Sequence, residues 1–210
     1  PESEAAQSWD VEADRAGLIE AAFESRLSWG GRGVPATQVV NILAARRPRW
    51  LTQLCRWAGE HAADHGRTRI ASMDVNGVME RFGRARRDDL HKEHDYEFRD
   101  LDGVLELFAE GPRGYGTEEL FALLSDRYLA RLADKDRPTI GGQVVTGPMP
   151  IADLLFRIGF LQGQRPGEGS GERQYYDYEA RPGLMRRGEQ GDADLVWAVY
   201  PSYRNVLRIR

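Results

Sequence analysis

The sequence predicts a mainly α-helical protein in two parts, 1–98 and 99–210, the second ending in a few short strands. Three observations predict this. Apolar residues recur at helical spacing from Leu18 to Ile158. Glycine and proline clusters divide these stripes at intervals. Runs dense in aromatic and β-branched residues collect near the C-terminal end, at Tyr175 to Glu179 and Leu195 to Tyr200.

In the first part, Leu18, Ile19, Ala22 and Phe23 form a helix stripe, which Gly30, Gly31 and Gly33 are expected to end. Pro35 to Ala44 reads as a short helix or turn. Pro48 suits the first position of the next helix, because its missing N–H is one of the groups without a partner there anyway. Leu51, Leu54, Cys55 and Ala58 continue that helix towards His65, and Gly66 closes it. Arg67 to Ala71 reads as extended. Asp74 then opens a helix as an N-cap or first-turn acid. Its stripe is Val75, Val78, Met79 and Phe82, and polar residues carry it towards Tyr96.

In the second part, Leu101, Val104, Leu105 and Phe108 repeat the helical spacing until Gly111, Pro112 and Gly114. Thr117 is the expected N-cap of the next helix, with Glu118 and Glu119 placed where acids favour the dipole. Its stripe is Leu120, Leu123, Leu124 and Tyr128. A Gly/Pro-rich connector from Gly141 leads to a helix over Pro150 to Ile158, ended by Gly159. Phe160-Leu161, Tyr175–Glu179 and Leu195–Tyr200 read as strands, while Gln164–Glu172 and Arg181–Asp194 read as loops. Pro201 stops the last strand, and Ser202 to Leu207 reads as a terminal helical turn. Three helices followed by a small set of strands is the order of a winged helix. The helix-turn-helix pair would be Thr117 to about Ala133 and Pro150 to Ile158. The wing would be a hairpin of the tyrosine strand and the Trp197 strand.

Composition sets limits on function. The 210 residues are 41% hydrophobic and 30% charged, enough for a core with a well-solvated surface. A net charge of −4 argues against an autonomous DNA-binding domain but leaves room for local basic patches. Cys55 is the single cysteine, so no intrachain disulfide forms; it reads as a small core residue, and its isolation fits a reducing cytoplasm. No stretch is long and apolar enough to cross a membrane and no signal-peptide pattern opens the chain, so a cytoplasmic location without membrane partners is expected. The chain begins at Pro1 rather than Met, which suggests a piece of a longer protein.

The charged residues supply the candidate sites. Arg46, Arg47 and Arg49 crowd the start of the Pro48 helix, where the dipole is already positive. Cations beside unpaired N–H groups suit an anion such as a phosphate, but a solvated or acid-paired helix start accounts for them equally well. His61 and His65 lie four apart, with His91 or His94 as a third metal ligand. The absence of an H-E-x-x-H pattern argues against a metal site, and none is assigned. Arg81, Arg84, Arg86 and Arg87 read as a solvated helix with mixed-sign pairs, with a phosphate-contacting or partner-facing surface as the alternative. The helix in the recognition position offers only Arg157 as a cation, beside Asp153, where a base reader presents Arg, Asn, Gln or Lys. Arg181, Arg186 and Arg187 in the wing loop remain as phosphate contacts, giving weak, salt-sensitive, sequence-independent binding. The aromatics Tyr175, Tyr176, Tyr178, Trp197, Tyr200 and Tyr203 read as sheet and core packing, or as an interaction patch if exposed.

The segments RRPRWLTQLCRWA, DVNGVMERFGRARRDDLHKEH and LLFRIGFLQG, followed by YYDYEA and WAVYPSYRNVLRI, resemble the C-terminal region of bacterial P-loop ATPases of the STAND/AAA+ kind. Some of these are associated with phage defence. The resemblance runs from about Val34 to the end. It implies a helical lid-like subdomain over 1–98 and a winged-helix domain over 99–210. In such proteins a lid arginine senses the nucleotide phosphates, and that role would fall on Arg49 with Arg46 and Arg47 as neighbours. The chain departs from the family in lacking any G-x-x-x-x-G-K-[ST] run and any strand ending in an acidic pair for Mg²⁺. ATP and Mg²⁺ are therefore expected only in a full-length parent, and the chain alone is not expected to be an enzyme. The implied partners are the ATPase domain in cis and a protein partner or a second copy, with nucleic acid bound weakly. A DNA-binding winged-helix regulator and a structural interaction module are the alternatives.

Overall fold

Gly30 and Gly31 have φ of 58° and 78°, the pair of positive values that a two-residue hairpin turn demands. The chain therefore folds back at the point where a helix end was expected. The computed structural model describes residues 11–45, 47–166, 173–189 and 193–209, without the side chains of 11–16 and 187–189. In it, α1 (Val11–Ala22) ends before these glycines, and β1 (Arg26–Trp29) pairs antiparallel with β2 (Arg32–Pro35). Leu27 is the buried residue of β1 and pairs with Val34. Of the first expected stripe, Ile19 and Phe23 are buried, while Leu18 is exposed.

Two compact units divide the chain, Pro1–Phe82 and Gly83–Arg210. The sequence reading drew its line after residue 98, whereas this division falls inside one continuous helix. In the first unit, α2 (Ala36–Leu43) buries Val39, Val40 and Leu43. Helix α3 (Pro48–Asp64) buries Trp50, Leu51, Leu54, Trp57 and Ala58 along one face, as the periodicity predicts. Gly66 at φ 69° turns the chain out of α3. Ile70 then makes a parallel bridge with Phe23, the extended piece expected there. Helix α4 (Ser72–His94) starts with Asp74 in its first turn, and Trp57 meets Phe82 edge-on at 6.5 Å.

The second unit takes up the rest of α4, then α5 (Leu101–Glu106), β3 (Gly114–Gly116) and α6 (Thr117–Arg127). The N-cap of α6 is Gly116 rather than Thr117. Glu119 reaches back to accept the Gly116 N–H at 2.9 Å, while the Thr117 hydroxyl accepts the Trp197 indole N–H at 3.0 Å. Beyond α6, β4 (Thr139–Ile140) and β5 (Gln143–Val144) form a second hairpin, turned by Gly141 and Gly142 at φ 58° and 80°. Helix α7 (Pro148–Arg157) begins two residues before Pro150, with Pro148 in its first turn. Next come β6 (Leu161–Pro166), β7 (Arg173–Tyr176), α8 (Leu184–Glu189), β8 (Val196–Val199) and α9 (Pro201–Arg204).

The protein is mainly α with small antiparallel sheets. Three local expectations about strands and loops are corrected, and the first is that Gln164, Arg165 and Pro166, read as the start of a loop, belong to β6. The tyrosine strand and the Trp197 strand do not form a hairpin. The sheet order is β3-β8-β6-β7, so β8 lies between β3 and β6, and β7 pairs only with β6. The segment expected as a loop from Arg181 to Asp194 contains α8, because Leu184 and Met185 are buried. Around α7, Phe156 packs edge-on against Trp197 at 5.1 Å, and Phe108 against Phe160 at 5.1 Å. Each fully buried Leu or Phe here contributes about 1.5–3 kcal/mol of transfer free energy.

Gly83 on α4 supplies a test. A Cβ there would lie 2.7 Å from the Ser202 backbone oxygen of α9. Gly83→Ala should therefore destabilise the protein by about 1–3 kcal/mol in urea unfolding, although helix propensity alone favours Ala by about 1 kcal/mol. A stabilised variant would show that α9 can retreat at no cost.

Candidate functional site

The start of α3 keeps its arginines at the surface. Arg47 is the N-cap residue, Pro48 is in the first turn, and no side chain caps the helix and no acid lies in that turn. The Arg47 guanidinium lies over the buried Trp50 ring, 4.2 Å from its centroid. Arg49 is exposed and borders an open depression of about 350 Å³, together with Thr52, Gln53 and Arg56. The Gln53 Oε1 atom is buried without a hydrogen-bond partner among the described residues. Arg46 lies outside the described residues. The geometry is thus a positively charged helix start with an exposed Arg49, of a kind that can receive an anion.

The densest polar cluster in the first unit lies elsewhere. Asp74 is fully buried. Arg67 Nε donates to its two oxygens at 3.1 and 3.0 Å, and Arg67 Nη2 makes a further short contact. The Ala71 N–H donates to Oδ2 at 2.9 Å, and His61 Nδ1 lies 2.8 Å from Oδ1. The bond from Arg67 holds the Asp74 carboxyl far below the usual carboxylate range. Burial works against this, and the Ala71 and His61 bonds assist it. Facing an ionised carboxylate, His61 Nδ1 carries the proton. Its ring lies against Gly77, where a Cβ would come within 2.5 Å of Nε2.

His65 stacks on His61 at 4.3 Å and places its own Nδ1 2.7 Å from the His61 carbonyl oxygen. Ligand atoms of His61, His65 and Asp74 all lie within 4.8 Å of one another. The Asp74 oxygens, however, are already taken up by a guanidinium, an amide and an imidazole, so the cluster acts as a lock. It ties the end of α3 and the 67–71 segment to the start of α4. His91 and His94 belong to the second unit, where His91 faces Asp95 and Asp102 and His94 faces Glu97.

The arginines of α4 are divided among separate contacts. Arg81 stacks over Trp57 at 4.1 Å and lies 3.8 Å from Glu60. Arg86 is not solvated: it is buried and donates to the Tyr203 hydroxyl at 2.9 Å. Arg87 bridges to Asp102 at 2.9 Å and Glu106 at 2.8 Å.

Of the cations expected to meet phosphate, Arg157 donates to Glu97 at 2.5 Å, which occupies its guanidinium within the second unit. Arg186 is on α8 and acts, with Arg157, on Asp153, whose carboxyl is pushed up chiefly by burial. Arg181 is exposed, with its guanidinium 5.8 Å from the Tyr176 ring. Arg187 is on α8 as well, and its side chain lies outside the described residues. The buried lock around Asp74 and the buried Arg86 carry no signal in a single sequence beyond their charge.

No family model, no curated protein and no solved structure matches the chain.

Because the Asp74 pKa is lowered on folding, its contribution to stability is present above the ordinary carboxylate range and is lost as pH falls below it. Asp74→Asn should cost roughly 3 kcal/mol at neutral pH, since it leaves Arg67 unpaired, and should flatten the acid limb of the stability curve. Denaturant unfolding of wild type and variant at neutral pH and near pH 3 measures both effects.

Proposed function

We propose that the chain is the regulatory C-terminal part of a P-loop ATPase, of the kind found in bacterial phage defence. It would couple nucleotide state to contacts with a protein partner or a neighbouring subunit in the cytoplasm. The chain itself is not the catalyst in this reading, because its sequence holds no phosphate-cradling loop. The second unit is read as a winged helix. The order α5, β3, α6, α7, β6, β8 supports this, as does the position of β8 between β3 and β6. Strand β7 and helix α8 are then an insertion between the last two strands.

One observation carries the choice of protein contacts over DNA reading. From Pro148 to Arg157, no residue of α7 is exposed. A helix that reads the major groove must offer polar side chains to base edges. This one offers an apolar surface already covered, and its single arginine is held by Glu97. In the first unit, the exposure of Arg49 beside an open depression supports the phosphate-sensing role that the resemblance implies.

Binding to duplex DNA should accordingly be weak, salt-sensitive and indifferent to sequence. Tight, sequence-selective binding in an anisotropy titration at physiological salt would promote the DNA-binding regulator instead. Arg49→Ala should change the stability of this chain by less than about 0.5 kcal/mol, as at other exposed positions. In a parent carrying the ATPase domain it should weaken the response to nucleotide. A variant that melts early yet responds normally to nucleotide would assign Arg49 a structural role.

A further inference from the structure

The outer face of the four-stranded sheet gathers arginines that pair with no acid among the described residues. Trp197 packs inward on Phe156, so alternation along β8 turns Val196 and Ala198 to the other side. The register sets Ala198 beside Gly114 and Gln162, Val196 beside Gly116 and Gln164, and Gln164 beside Tyr175. The same alternation puts Arg173, two residues before Tyr175, on that face. The floor of the face is therefore made of small residues and buried glutamine, with Tyr175 59% exposed at its side.

Arg173 lies on this face, and Arg204 and Arg113 are close enough to act on one another beside it. Arg173 Nη1 donates to Gln164 Oε1 at 3.0 Å. Arg204, from α9, donates through Nε to the Val199 carbonyl at 2.8 Å. Arg113 directly precedes β3, and its carbonyl accepts the Val199 N–H at 3.0 Å. Burial first, then repulsion from Arg113 and Arg173, pushes the Arg204 pKa down to about 10, and Tyr175 opposes the shift. Among the described residues no carboxylate pairs with any of the three. Asp177, which directly follows β7, accepts the Ala180 N–H at 2.8 Å, and Glu172, next to Arg173 in the sequence, lies outside the described residues. A half-buried guanidinium beside two like charges is stabilised by an incoming anion.

We propose that this face binds a nucleoside phosphate, with Arg113, Arg173 and Arg204 on the phosphate and Tyr175 stacked on the base. Arginine forks match phosphate oxygens, and an exposed aromatic accepts any base through its π-face. The phosphate comes from a free nucleotide or from a single strand. The site lies in the second unit and does not depend on the role proposed for Arg49.

The test uses the whole chain and the anisotropy of a fluorescein-labelled oligothymidylate, competed with ATP, with unlabelled strand and with inorganic pyrophosphate. Arg173→Glu should weaken binding at least about tenfold, and Tyr175→Ala by roughly five- to a hundredfold. Arg49→Ala should leave it unchanged. Both Arg173 and Tyr175 are exposed, and Arg113→Glu, also exposed, carries the same expectation should Arg173→Glu fail to fold. Displacement by ATP assigns the site to free nucleotide, and displacement by strand alone assigns it to single-stranded nucleic acid. The proposal is overturned if no probe binds, if these variants bind like wild type, or if pyrophosphate competes as well as ATP while Tyr175→Ala has no effect.

Discussion

Helix α7 has no exposed residue along its length, and the second unit is arranged around that fact. An amphipathic helix needs cover over its apolar face, and α7 buries Ile151, Ala152, Leu154, Leu155 and Phe156 there. Helix α6, strand β6 and helix α8 all pack against α7. Helix α8 grows out of the stretch between β7 and β8, and its buried Leu184 and Met185 make it cover rather than connection. The strands follow from this. Trp197 must reach Phe156 from β8, so β8 occupies a central place and β7 is left at the edge.

The chain is rich in arginine, and burial sorts its arginines by role. Guanidinium keeps its charge in semi-buried surroundings and bonds in a planar fork, so it can join distant elements. Arg67 does this with Asp74, Arg87 with Asp102 and Glu106, and Arg157 with Glu97. Arg86 goes further, buried against the Tyr203 hydroxyl and ring. Each of these arginines is committed to architecture. Arg173 and Arg204 are different, since each donates to a neutral protein oxygen, and among the described residues no carboxylate pairs with either of them or with Arg113.

Much of the helical framework was legible in the residues. The stripes from Leu51 to Phe82 and from Leu101 to Ile158 became α3 to α7, with Gly66 and Gly159 at positive φ where helices close. These features are local: spacing, caps and glycine conformation act within a few residues of one another. The two Gly-Gly hairpins were also written locally, at Gly30-Gly31 and Gly141-Gly142, but a glycine pair serves equally as a helix stop. Only the pairing of the flanking strands distinguishes the two.

The sequence by itself therefore determined where most helices run, which face of each is apolar, and the absence of a phosphate loop within the chain. The tertiary structure decided the strand order, the existence of α8, and the partner of each charge. The reason is separation along the chain. Arg157 and Glu97 are 60 residues apart, Trp197 and Thr117 are 80 apart, and Arg86 and Tyr203 are 117 apart. No periodicity or cap links residues at such distances. What links them is the folded core, where an apolar helix had to be covered and a buried charge had to find an oxygen.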